Sequence, residues 1–149
     1  MDRSSSRKDV SFDEAAMLEP LAVTVHAVKR FSPVKGAKAA VLGCGPIGIL
    51  LIQSLKALGA AEVFATDVSD YRLKLAAELG ADYTVNTKEK DFSEEFLKAF
   101  GPDKADVIFE CAGCIMIESA FPGKKRTKLI YPHTRTLNDL SPGDDLTIR

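Results

Sequence analysis

Residues 39–48, Ala39-Ala40-Val41-Leu42-Gly43-Cys44-Gly45-Pro46-Ile47-Gly48, decide the fold. Ala39 to Leu42 has the length and composition of a short buried strand. A Gly-x-Gly-x-x-Gly follows without a break, and Ile47, Leu51, Leu55 and Leu58 then recur on one helical stripe. Strand, glycine turn and helix in that order give the motif a mechanism. Gly43 allows the tight turn, Gly45 lets a pyrophosphate reach the backbone, and Gly48 lets the helix pack against the sheet. Pro46 and Ile47 open the helix, whose free N–H groups and positive dipole end would meet the phosphate charge.

The next elements repeat the pattern. Glu62 to Thr66 reads as a strand and ends at Asp67, nineteen residues past Gly48. A carboxylate there accepts hydrogen bonds from ribose hydroxyls and repels a 2′-phosphate. A turn aspartate capping the following helix would account for the same residue without any ligand. S-adenosylmethionine domains of methyltransferases also combine a glycine turn with an acid after the second strand. The third glycine, leading straight into an apolar helix, favours the dinucleotide. Tyr71 to Leu79 reads as a helix and Tyr83 to Asn86 as a strand. Phe92, Phe96 and Phe100 mark another helix, and Asp106 to Phe109 a fourth strand. Gly59 and Gly80 stand where left-handed caps end helices. Alternating strands and helices predict an α/β fold with a doubly wound parallel sheet, covered on both faces and wound right-handedly. Its C-terminal half reads as incomplete.

Outside this frame the signals are sparser. Residues 1–10 read as a disordered leader and 11–121 as the α/β domain. Ser11 and Glu14 have capping-box spacing for a short helix over Phe12 to Leu18. Pro20 suits the first position of a second helix, with Leu21, Val25 and Val28 on its apolar face and His26 packed among apolar neighbours. Residues 122–149 read as an irregular basic tail that could complete the sheet in part, with Lys128 to Tyr131 as the one candidate strand. Lys124-Lys125-Arg126 reads as a solvated turn.

Across its 149 residues the chain is 46% hydrophobic and 28% charged, with a formal charge of −1. That balance argues against a dedicated nucleic-acid binder. The longest apolar run is too short and too rich in glycine to span a membrane. Three cysteines do not make a secreted disulfide framework. The expectation is a soluble, cytoplasmic protein.

Residues 12–113 resemble the cofactor domain of the medium-chain zinc-dependent alcohol dehydrogenases, in particular the sorbitol (polyol) and threonine dehydrogenase branch. The resemblance rests on Glu19-Pro20-Leu21-Ala22-Val23, His26-Ala27, GCGPIG at 43–48, Asp67 with Arg72, GAD at 80–82 and ECAG at 110–113. It implies NAD as cofactor and a small-molecule alcohol or polyol as substrate. Gly45, Pro46, Ile47 and Gly48 would line the pyrophosphate. Asp67 and Arg72 would hold the adenosine ribose, and Cys111, Ala112 and Gly113 would border the cofactor. Glu19 matches the glutamate that reaches the catalytic zinc from the cofactor domain.

Departures from the family are as informative. The family's catalytic cysteine, its Gly-His-Glu ligand pair and its four-cysteine site have no counterpart here, and zinc needs three or four ligands. The expectation is therefore an NAD-binding domain without a metal site, inactive alone: a fragment or a degenerate relative. The alternative is a non-catalytic nucleotide-binding or interaction module. Cys111-x-x-Cys114 has redox spacing, although Cys111 already belongs to the ECAG loop. If residues 114–149 fail to rebuild the sheet, the fourth strand becomes an apolar edge through which a homodimer would form.

Overall fold

The computed structural model describes residues 10–102, 105–113, 127–130 and 147–148. Two helices, α1 (Phe12–Ala16) and α2 (Leu18–Lys29), precede β1 (Lys38–Leu42), α3 (Pro46–Ala57), β2 (Glu62–Asp67), α4 (Asp70–Glu78), β3 (Tyr83–Asn86), α5 (Phe92–Phe100) and β4 (Val107–Glu110). Two further strands follow, β5 (Thr127–Ile130) and β6 (Thr147–Ile148). The sheet order is β3-β2-β1-β4-β5-β6. β1 lies parallel to both β2 and β4, β2 to β3, and β4 to β5. β6 closes the sheet antiparallel to β5.

β1 shows how the sheet is covered twice. Ala39 and Val41 join a core with Leu51, Ile52 and Leu55 of α3, Ala27 and Val28 of α2, and Leu73 and Ala76 of α4. Ala40 and Leu42 join a second core with Phe64, Phe96 and Phe100. Successive side chains of a strand point to opposite faces, so five residues serve two helical layers. In the second layer Phe64 meets Phe96 edge-on, 5.1 Å between ring centroids, and Phe92 edge-on at 5.9 Å.

The N-terminal helices correct three expectations. The Ser11–Glu14 capping box forms, with Ser11 N–H donating to Glu14 Oε2 at 2.8 Å and Glu14 N–H to Ser11 Oγ at 3.2 Å. α2, however, starts at Leu18, which puts Pro20 at its third position. The first turn tolerates this because its N–H groups have no intrahelical partners. The buried face of α2 is Thr24, Ala27 and Val28, while Leu21 is exposed. Small Thr24 and Ala27 let α2 approach α3, with which it packs, and the Thr24 hydroxyl is satisfied by donating to Leu21 O at 2.8 Å. His26 is exposed rather than packed.

A fourth correction concerns the sheet edge. β5 falls on the candidate strand of the C-terminal segment, shifted by one residue from Lys128 to Tyr131, and it pairs Lys128, Leu129 and Ile130 with Val107, Ile108 and Phe109. β4 is therefore interior, and the edge proposed for a homodimer is already covered. Cys114, the Lys124–Arg126 run and nearly all of the leader lie outside the described residues. No helix among the described residues is long and apolar enough to cross a membrane.

Candidate cofactor site

The site assembles at the carboxyl ends of β1, β2 and β4, where an open α/β sheet reverses strand order and binds ligands. β1 runs into Gly43, at φ 98°, whose N–H donates to Thr66 O at 2.8 Å. A side chain here would be strained by the positive φ and would press on Cys111 C and Ala112 N, both 3.0 Å from an added Cβ. Gly45 is the N-cap of α3, Pro46 its first residue, and no side chain caps the helix. An added Cβ on Gly45 would meet nothing within 4 Å, whereas one on Gly48 would overlap the Gly43 carbonyl oxygen. Gly48 is thus a packing glycine, and Gly45 leaves open space before an uncapped helix terminus. That space fits a phosphate group.

Asp67 ends β2 and is 9% exposed. Its Oδ2 accepts from Cys44 N–H at 2.8 Å, and its Oδ1 accepts from Val68 N–H at 2.8 Å and Ser69 N–H at 2.9 Å. Arg72, from the first turn of α4, brings Nη1 to 3.9 Å from Asp67 Oδ2 and keeps its guanidinium half exposed. The carboxylate therefore ties the glycine turn to the end of β2. Its three backbone bonds take most of the roughly four acceptor positions a carboxylate has.

Across the turn, Cys111 N–H donates to Leu42 O at 2.8 Å. Glu110, buried at the end of β4, accepts from Ala112 N–H at 2.7 Å and Gly113 N–H at 3.1 Å. Gly43, Gly45, Asp67, Cys111, Ala112 and Gly113 thus lie at three adjoining strand ends, and Pro46, Ile47, Gly48 and Arg72 in the first turns of the helices that follow two of them. Glu19 does not join them: it is exposed in the first turn of α2.

Sequence reasoning gave no role to Cys44 or Glu110. Cys44 is buried, with Sγ 3.4 Å from Thr66 O, and its pKa is pushed up to about 12, chiefly by burial and then by the Asp67 charge. Burial also pushes the Cys111 thiol up, followed by Glu110 and Cys44. Both therefore remain protonated thiols at neutral pH and are poor nucleophiles or metal ligands. Stability should fall at alkaline pH, because an unfolded chain releases these protons from about pH 9 while the folded chain holds the Cys44 proton until about 12. Urea denaturation between pH 8 and 11 checks this. Replacing both cysteines with alanine should flatten the slope, and an unchanged slope would assign it to other groups.

No three His, Cys, Asp or Glu side chains converge on a metal position among the described residues. Among the described residues no ligand set fits the zinc of the family that the sequence resembles.

The strand order and the glycine turn at the sheet's carboxyl end define a Rossmann-type α/β domain. Residues 46–122, just over half of the chain, match the zinc-binding dehydrogenase family model, and the chain belongs to that family. Sorbitol dehydrogenase from Bos taurus is 40% identical over 107 residues, covering 70% of this chain and 30% of that protein. Galactitol-1-phosphate dehydrogenase from Escherichia coli superposes with a TM-score of 0.73 at 30% identity, over 85% of this chain and 37% of that one. A zinc-binding-dehydrogenase structure from Sinorhizobium meliloti 1021 bound to NADP superposes with a TM-score of 0.60 at 34% identity, over 64% of this chain and 28% of that one. The chain spans about 30% of the length of the curated relatives it matches.

Proposed function

We propose that the chain is the NAD-binding domain of a zinc-type alcohol or polyol dehydrogenase, cytoplasmic and without alcohol-oxidising activity by itself. The carrying observation is the open space at Gly45 in front of the uncapped α3 terminus, with Asp67 one strand away. Ile47 and Gly48 open α3 toward the phosphates, Asp67 and Arg72 lie where a ribose would be held, and Cys111 to Gly113 wall the turn. NAD supplies hydride transfer with a secondary alcohol when the parent enzyme is whole. This chain's own residues bind and orient it.

Cofactor choice rests on Asp67. Beyond its three backbone amides the carboxylate has about one acceptor position left for a ribose hydroxyl, and a hydrogen bond to a charged group is worth roughly 1.5–3 kcal/mol. Against NADP the same charge opposes the 2′-phosphate, although half-exposed Arg72 can pair with it. NAD should bind at least tenfold tighter, about 1.4 kcal/mol. Calorimetric titration of NAD, NADP and S-adenosylmethionine tests the choice. Equal affinity for NAD and NADP would remove Asp67 as the selector, and binding of S-adenosylmethionine alone would replace the dehydrogenase reading. A second reading, a nucleotide-binding module without chemistry, is favoured by the lack of a metal-ligand cluster among the described residues. NAD binding without NADH production from sorbitol, even with zinc and with a separately supplied catalytic domain of a related enzyme, would support it.

A further inference from the structure

Glu110 is an acid at the end of a strand whose other residues, Val107, Ile108 and Phe109, are each 0% exposed. It is itself 5% exposed, and a buried carboxylate is costly unless its oxygens are hydrogen-bonded. Both oxygens are used locally, Oε1 for Ala112 N–H and Oε2 for Gly113 N–H. The bonds fold residues 111–113 back over the strand end, with Gly113 at φ 74°. This is the backbone that lies against Gly43, 3.0 Å from where a Cβ of that residue would stand. Ala112 and Gly113 are exposed on the loop's outer side.

Asp67 does the corresponding work from β2, binding Cys44 N–H. Two strand-end carboxylates thus flank the glycine turn, and each engages backbone amides. Those amides hold both charges in place beside a position suited to phosphate.

We propose that Glu110 is a positioning residue for the nucleotide: it presets the Cys111–Gly113 loop in the ligand-free chain, so that binding does not have to order it. The role rests on the nucleotide-binding reading above. Preorganisation raises affinity by lowering the ordering cost at the moment of binding.

The test compares the parent chain with Glu110→Ala and Glu110→Gln, using NADH titration by calorimetry and amide hydrogen exchange at Ala112 and Gly113. In the parent, both amides should be protected without NADH, and saturating NADH should slow them less than threefold. Glu110→Ala should exchange fast at both amides, bind NADH at least tenfold more weakly, and regain protection when NADH is added. Glu110→Gln keeps one acceptor oxygen and should fall between the two. General destabilisation would speed exchange at core amides of β1 and β4 as well, whereas loss of the preset loop is confined to Ala112 and Gly113. Rapid exchange in the parent until NADH arrives would overturn the proposal, whether or not the alanine variant folds. Equal NADH affinity in a folded Glu110→Ala would overturn it while leaving the nucleotide-binding reading intact. Failure of the parent to bind NADH would overturn both.

Discussion

Gly48→Ala should lower the melting temperature by roughly 6–12 °C, while Gly45→Ala, three residues earlier, should leave it within about 2 °C. A Cβ on Gly48 would overlap the Gly43 carbonyl oxygen and lie 2.9 Å from its carbon. The obstacle is backbone, so it cannot rotate away, and α3 must retreat from β1. That helix carries Leu51, Ile52 and Leu55, each 0% exposed, into the larger core. Overpacking a well-filled site costs about 3 kcal/mol at the upper end of its usual range, and each kcal/mol shifts melting by roughly 2–4 °C in a domain of this size. Gly45 has φ −69° and open space around its missing Cβ, so alanine fits the fold. The same methyl group occupies the space assigned to the pyrophosphate, and NAD affinity should fall at least tenfold. Thermal unfolding and calorimetric titration of the two variants separate packing from binding. If Gly45→Ala retained full affinity, the phosphate position would have to be abandoned.

Asp67→Ala should destabilise the chain by about 3–5 kcal/mol, since bonds to a charged acceptor are worth roughly 1.5–3 kcal/mol each and three amides lose theirs together. Two of the three are partly exposed, and water offsets part of the loss there. Cys44 N–H is buried and bears the larger penalty. Asp67→Asn should be milder, because the amide still offers one oxygen to Val68 and Ser69 or to Cys44, but not to both sides. Urea denaturation of the three proteins gives the ranking. A loss below about 1 kcal/mol for the alanine variant would show that the turn holds its shape without the carboxylate. Cofactor selectivity of Asp67 variants therefore has to be measured where they remain folded, since one side chain serves both turn and ligand.

Local pattern carried much of this structure. The Phe92, Phe96 and Phe100 stripe defines α5 from end to end, and Tyr83 to Asn86 is β3 as the alternation suggests. Gly59 and Gly80 take the positive φ expected of caps after α3 and α4. The glycine turn followed by an apolar helix, and an acid at the end of the next strand, were enough to place Asp67 at the carboxyl end of β2, beside the turn. These are short-range features: a helical period, a cap and a turn are written within one or two turns of chain.

What the sequence by itself determined is the alternation of strands and helices, the turn at 43–48 and the acid that answers it, because each depends on neighbours in the chain. Tertiary structure alone decided the rest. Of the stripe Leu21, Val25 and Val28 only Val28 is fully buried, and α2 buries Thr24 and Ala27 beside it, because the neighbouring helix admits small side chains where the two approach. Residues 128–131 offered a candidate strand, but that β5 lies parallel to β4 and covers its edge is a property of the sheet alone. Asp67 reads as an acid available to a ligand and Glu110 reads only as part of a motif, and the fold turns both onto backbone amides. Which donors surround a buried carboxylate is set by how the strand ends and their loops fold against one another, and no local period encodes that arrangement.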